Sequence, residues 1–154
     1  MIQPMVSEVC DVGLSFYIGE IVRGLEVDVR PQPAKIVMPD TRGDISLLLT
    51  QPFIGREDDL GRELLRHMID NFSLAQVPER RLILSHRAVV LACLTACPTC
   101  SDSLYGFVKR GGSILVCELS ARRLGLSDRI KIGRLVSVDE LCRTLLSSQK
   151  VISM

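Results

Sequence analysis

The chain has 154 residues, a formal net charge of +1 and 47% hydrophobic residues. That length suits one domain with an extension and can bury a core without disulfide staples. The near-zero charge leaves no electrostatic footprint for nucleic acid or an anionic membrane, and four Phe, two Tyr and no Trp supply little for base stacking or an aromatic-lined groove.

The chain starts without a signal pattern, since Met1 to Cys10 carries Glu8 and no apolar centre. The longest apolar candidate, Ala88 to Cys97, falls well short of the roughly 20 residues of a spanning helix. A cytoplasmic protein is expected. There the six cysteines would be reduced, catalytic or metal-binding rather than disulfide-paired.

Residues 1–42 show no sustained helix or strand period. Leu25 to Arg30 alternates as a half-buried strand would, and Pro31-Gln32-Pro33 stops it by removing ladder donors. Ala34 to Met38 reads as another short strand, and Pro39 to Gly43 as a turn cluster. A boundary near Gly43 is predicted, with 1–42 an extension that packs on the main domain or on a neighbouring subunit. Residues 43–154 then form the domain.

From Gly43 onward the pattern is regular. Ile45 to Thr50 reads as a strand covered on both faces. Glu57-Asp58-Asp59 places negative charge at a helix start, and Leu60, Leu64, Met68, Ile69 and Phe72 give Glu57 to Leu74 an apolar stripe. Arg81 to Ser85 is a second strand, and Ala88 to Ala96 an apolar helix weakened by Val89 and Val90. Thr99 with Asp102 fits a capping box for a helix over Ser103 to Lys109, closed at Arg110-Gly111-Gly112. Ser113 to Cys117 is the third strand, and Ser120 to Leu124 a short helix stopped at Gly125. Ile130 to Ile132 reads as a small strand. Ser137 caps a helix running to about Ser147, and Lys150 to Met154 is the last strand.

Strands and helices that alternate this closely predict an α/β fold, a small mostly parallel sheet with helices on both faces. Sites in such sheets lie at the carboxyl ends of strands. Three loops qualify: Gln51 to Arg56, Ser85 to Arg87, and Cys117 to Ser120.

Several of these pieces, in this order, also carry a family resemblance. They are Gly55-Arg56-Glu57-Asp58-Asp59-Leu60-Gly61-Arg62-Glu63-Leu64, Gly112-Ser113-Ile114-Leu115-Val116-Cys117, Leu124-Gly125-Leu126 and Lys131-Ile132-Gly133. Over residues 43–154 the chain resembles the DsrE-like sulfur-relay family, in particular the DsrE-type domain of YedF-like proteins, linked by name to selenium metabolism. The resemblance implies a three-layer sandwich that forms homo-oligomers, with a persulfide-carrying cysteine at Cys117 and donor or acceptor protein thiols as partners. Look-alikes often have a second cysteine three residues on, where this chain has Ser120. YedF-type proteins often begin with a TusA-like domain carrying Cys-Pro-x-Pro; here Arg30-Pro31-Gln32-Pro33 has arginine in the cysteine's place, and no function is carried over from it.

Cys117 is the first candidate catalytic residue. Sulfur transfer needs a thiolate, which a helix start and nearby cations such as Arg122 and Arg123 favour and Glu118 opposes. The competing reading is a small buried hydrophobe at a strand end. Cys93, Cys97 and Cys100 form a second cluster. Cys97-Pro98-Thr99-Cys100 has the form of a redox or relay dithiol before a helix, so Cys97 and Cys100 join Cys117 as candidate resolving thiols. The same cluster could instead bind metal, or be one core cysteine and two inert turn residues. His67 reads as a boundary residue on its helix. His86, at the edge of a candidate site, could act as a base or an anion contact. Cys10 has no partner pattern, and Cys142 reads as core.

The leading expectation is thus a sulfur carrier working through Cys117 without a cofactor or bound metal, and without nucleic-acid or membrane partners. The alternatives are a non-enzymatic oligomeric binding or scaffold module of the same fold, and a Cys-cluster metal-binding protein.

Overall fold

The computed structural model describes residues 43–94 and 98–154. All of them belong to one compact unit of the chain, Met38–Met154. The expectations for residues 1–42 and for Cys97 lie outside the described residues.

The elements run β1 (Ile45–Leu49), α1 (Asp59–Ser73), β2 (Arg80–Leu84), a 3-10 segment (His86–Cys93), α2 (Pro98–Lys109), β3 (Ser113–Cys117), α3 (Glu118–Arg123), a 3-10 turn (Ser127–Arg129), β4 (Arg134–Val136), α4 (Val138–Ser147) and β5 (Lys150–Ser153). All strand pairings are parallel, and the sheet order is β4-β3-β2-β1-β5. The path from β1 to β4 steps in one direction, and the return to β5 reverses it. Right-handed crossovers put the connections of the first run on one face and the returning connection on the other. The packing follows that rule. One face buries Leu47, Leu49, Leu82, Leu84, Ile114 and Val116 against Leu65 and Ile69 of α1, Leu104 and Phe107 of α2, the 3-10 segment and Ala121 of α3. The other buries Ile83, Leu115, Cys117 and Val136 against Leu141 of α4, with Leu48 and Leu145 half-buried beside them.

α1 is capped as its acidic start predicts, with the Asp58 carboxylate accepting from the Gly61 amide at 2.8 Å. Its buried stripe differs from the expected one. Gly61, Leu65, Ile69 and Phe72 face the sheet, while Leu60, Leu64 and Met68 are exposed. Two apolar stripes lie side by side on this helix, and the sheet takes the one that carries Leu65, Ile69 and Phe72. At the other end, the Arg80 guanidinium donates to Ser73 O (2.7 Å), Ala75 O (3.0 Å) and Arg110 O, so one cation serves the carbonyl ends of both α1 and α2.

Four further expectations are corrected. The apolar run from Ala88 is a 3-10 segment ending at Leu94 in left-handed conformation (φ 62), with the Ala88 amide shared between Ser85 O and Thr50 O. α2 begins at Pro98, whose missing N–H suits a first helical position, so Thr99 lies inside the first turn rather than capping it. Ile130 to Ile132 is not a strand, because the Lys131 and Ile132 amides both bond to Ala92 O; the strand forms at Arg134–Val136. Cys142 is exposed, one position off the Leu141–Leu145 side of α4.

α4 starts as predicted, with Ser137 Oγ accepting from the Glu140 amide at 3.2 Å. Arg134 of β4 pairs with Glu140 at 2.5 Å and holds that carboxyl below its ordinary range, which pins the helix start to the sheet edge. No helix among the described residues is long and apolar enough to cross a membrane.

Candidate functional site

The carboxyl ends of β1, β2 and β3 bring the three predicted loops together. The loop after β1 is tied down by the Ile54 amide bonding to Gly61 O (3.0 Å) and by the Ala88 amide bonding to Thr50 O (3.2 Å). Immediately after β2, His86 adopts a left-handed backbone (φ 49), which a non-glycine residue holds only when its surroundings over-determine it. Its amide donates to Ser120 Oγ at 2.9 Å, a contact that spans 34 residues and joins the β2 loop to α3. Next to it, Arg87 forms a two-pronged ion pair with Glu57 (Nη2–Oε1 2.9 Å, Nη1–Oε2 3.2 Å) and lies over the Phe53 ring at 5.9 Å.

These residues frame a cavity of about 280 Å³ lined by His86, Arg87, Leu119, Ser120, Arg123 and Leu124. α3 presents three of them and ends in a tight glycine turn. The Gly125 amide bonds to Arg122 O and the Leu126 amide to Ala121 O, with Gly125 at φ +65, a conformation that disfavours any side chain there.

Cys117 stands where the sequence puts it, at the end of β3 and at the cap of α3. Its side chain points to the other face. It is 6% exposed, packed with Ile83, Leu115, Val136 and Leu141 beneath α4, and it does not line the cavity. Cys100 is buried in the cluster on the opposite side of the sheet. The two candidate thiols are therefore not brought together within one chain. Cys93 is also buried, with its thiol 4.0 Å from Val89 O; burial pushes that thiol up, and the Arg129 cation pulls weakly the other way. Among the described residues no three His, Cys, Asp or Glu side chains gather as metal ligands. The Cys93, Cys97, Cys100 triplet is incomplete there because Cys97 lies outside them. His67 is on the exposed side of α1, 3.6 Å from Glu63.

Ser120 lies at the end of the predicted Cys117 to Ser120 loop, where the resemblance marks only a missing cysteine. Arg87 and Leu119 fall in two of the three predicted loops without being singled out, and Leu124 lies outside all three. For Arg87 and Leu119 the one sequence signal is their place at strand carboxyl ends; Leu124, at the end of α3, and the His86–Ser120 contact have none.

No family model matches the chain, and no curated protein does. Among solved structures it is similar to the ychN protein from E. coli, at 18% identity and a TM-score of 0.54, covering 73% of this chain and 99% of that one. It is also similar to a conserved protein of unknown function, BT1422, from Bacteroides thetaiotaomicron, at 15% identity and a TM-score of 0.55, covering 73% and 95%. At these identities the likeness concerns the fold, a DsrE-like α/β sandwich around a parallel sheet.

Proposed function

We propose that this DsrE-like domain handles sulfur, with Cys117 carrying it as a persulfide. The Cys117 thiolate attacks the outer sulfur of a donor persulfide, a new S–S bond forms, and the donor leaves as its thiolate. An acceptor thiolate then attacks the outer sulfur and Cys117 leaves as thiolate, so no oxidant or reductant is consumed. The observation that supports this reading is the position of Cys117 at the strand-to-helix turn, at the carboxyl end of β3. Among the described residues α4 covers that face at the thiol, through Leu141 with Leu145 beside it, so the proposal requires this short helix to move aside for a donor. Cys97 and Cys100 remain the candidate resolving thiols. Because Cys100 faces away from Cys117, exchange between them would involve a second copy or a partner protein. A homo-oligomer in the cytoplasm is part of the same proposal.

Incubation with a persulfide donor under anaerobic conditions should add one sulfur at Cys117, read by intact mass and peptide mapping. Absence of the adduct in the wild type, or an unchanged adduct in Cys117→Ser, removes the proposal.

One observation favours a second reading, a binding module that does no sulfur chemistry. Cys117 is packed as a small hydrophobe, and the residue where look-alikes carry a second cysteine, Ser120, is engaged with the His86 amide. A Cys117 that stays inert to every persulfide donor while the cavity beside Ser120 binds a ligand would establish it.

A further inference from the structure

We propose that the cavity beside Ser120 binds a small organic anion, an oxyanion head such as a carboxylate on a short apolar body. The lining has two chemistries. Leu119 and Leu124 are 44% and 45% exposed and offer apolar surface that a ligand would cover. His86, Arg87 and Arg123 supply the polar side, and among the described residues no acidic one lines the space. The two arginines differ in state. Arg87 already has its fork filled by Glu57 and its plane against Phe53, so it acts as a fixed wall. Arg123 has no carboxylate partner among the described residues, and its charge is left for a ligand.

Two features mark the cavity as built. The left-handed His86 is a strained backbone position held by the hydroxyl of Ser120, so this part of the lining is fixed before a ligand arrives. Its location at the carboxyl ends of β2 and β3 is where parallel sheets take ligands. A volume of about 280 Å³ lies just below the usual range of ligand sites and suits a compact acid. The thiol of Cys117 lies on the opposite face of the sheet, so this site stands whether or not Cys117 carries sulfur.

The test uses the full chain and benzoate as probe, followed by NMR shifts of backbone amides. Benzoate should move the His86, Ser120 and Leu124 amides in a saturable way, with Kd no weaker than roughly 1 mM. Benzyl alcohol, with the same ring and no charge, should bind at least about tenfold more weakly. Sulfate, which leaves the leucines uncovered, should also bind at least about tenfold more weakly. Arg123→Gln should weaken benzoate at least about tenfold, and Arg122→Gln, which does not line the cavity, should leave it unchanged. No saturable shift at these amides, equal binding of benzyl alcohol or sulfate, or full benzoate affinity in Arg123→Gln would overturn the proposal.

Discussion

Four described cysteines divide by position rather than by type. Cys142 is exposed on α4, whereas Cys93, Cys100 and Cys117 are buried. Burial also disfavours the Cys93 thiolate, which is the reacting form. Since that thiol is raised, it stays protonated as pH climbs past the ordinary cysteine range. A maleimide pulse on the native protein near neutral pH should therefore label Cys142 before Cys93 and Cys100, which stay unlabelled until denaturant is added. Peptide mapping reads this directly, and early labelling of Cys93 would contradict the burial that the fold assigns it. The same residues show where reading a sequence stops. The place of Cys117 at the end of β3 is legible, because Ser113 to Cys117 is bounded by Gly112 and a helix start. Its face is not legible. Ile114, Leu115, Val116 and Cys117 are all apolar, so the run carries no period-two signal to say which pair turns toward α4. Ser120 and His86 meet only through the sheet, and nothing local in either stretch encodes that contact.

At the scale of elements, strands and helices were legible where one physical signal dominated. The acidic start of α1, the Ser137 cap and the Gly125 stop all act locally, and each forms as its residues dictate. Misreadings arose where tertiary hydrogen bonds competed with local pattern. Ile130 to Ile132 has strand composition, yet Ala92 O takes two of its amides. On α1, Gly61 lets the loop after β1 come close to the helix backbone. A Cβ there would stand 2.0 Å from Arg56 O and 2.8 Å from Ile54 O, in a loop that also bonds back to Gly61. Gly→Ala inside an exposed helix usually gains about 1 kcal/mol. Here the sign should reverse. Gly61→Ala should lose on the order of 1–3 kcal/mol, because the loop must move and its bonds with it. Urea denaturation measures the change, and a stabilised Gly61→Ala would mean that the loop yields freely.

At the scale of the whole molecule, α1 carries an apolar stripe that no described residue covers. The charged side of α1 faces α2 across a groove lined by Arg62, Glu63, Arg66, Asp70, Asp102 and Arg110. The stripe of Leu60 (64% exposed), Leu64 (46%) and Met68 (42%) therefore belongs to a different side of the helix. Its spacing of four residues makes it continuous along α1. β5 is an edge strand, and its Ile152, paired with Leu47, points to the same face of the sheet and is 38% exposed. An apolar stripe of this kind is a surface that a soluble monomer rarely leaves bare. In the homo-oligomer proposed above, a second copy would cover it. Leu64 lies at the middle of the stripe, so placing a charge there tests the interface at its centre. Leu64→Lys should lower the sedimenting mass of the native protein while its circular dichroism stays the same. Because Leu64 already meets solvent in a single chain, the substitution should change the unfolding free energy of the isolated protomer by no more than about 0.5 kcal/mol. A wild type that sediments as a monomer, or a Leu64→Lys protein of unchanged assembly mass, would remove this stripe as the contact. A loss of helical signal in the variant would show instead that Leu64 serves the core of its own chain.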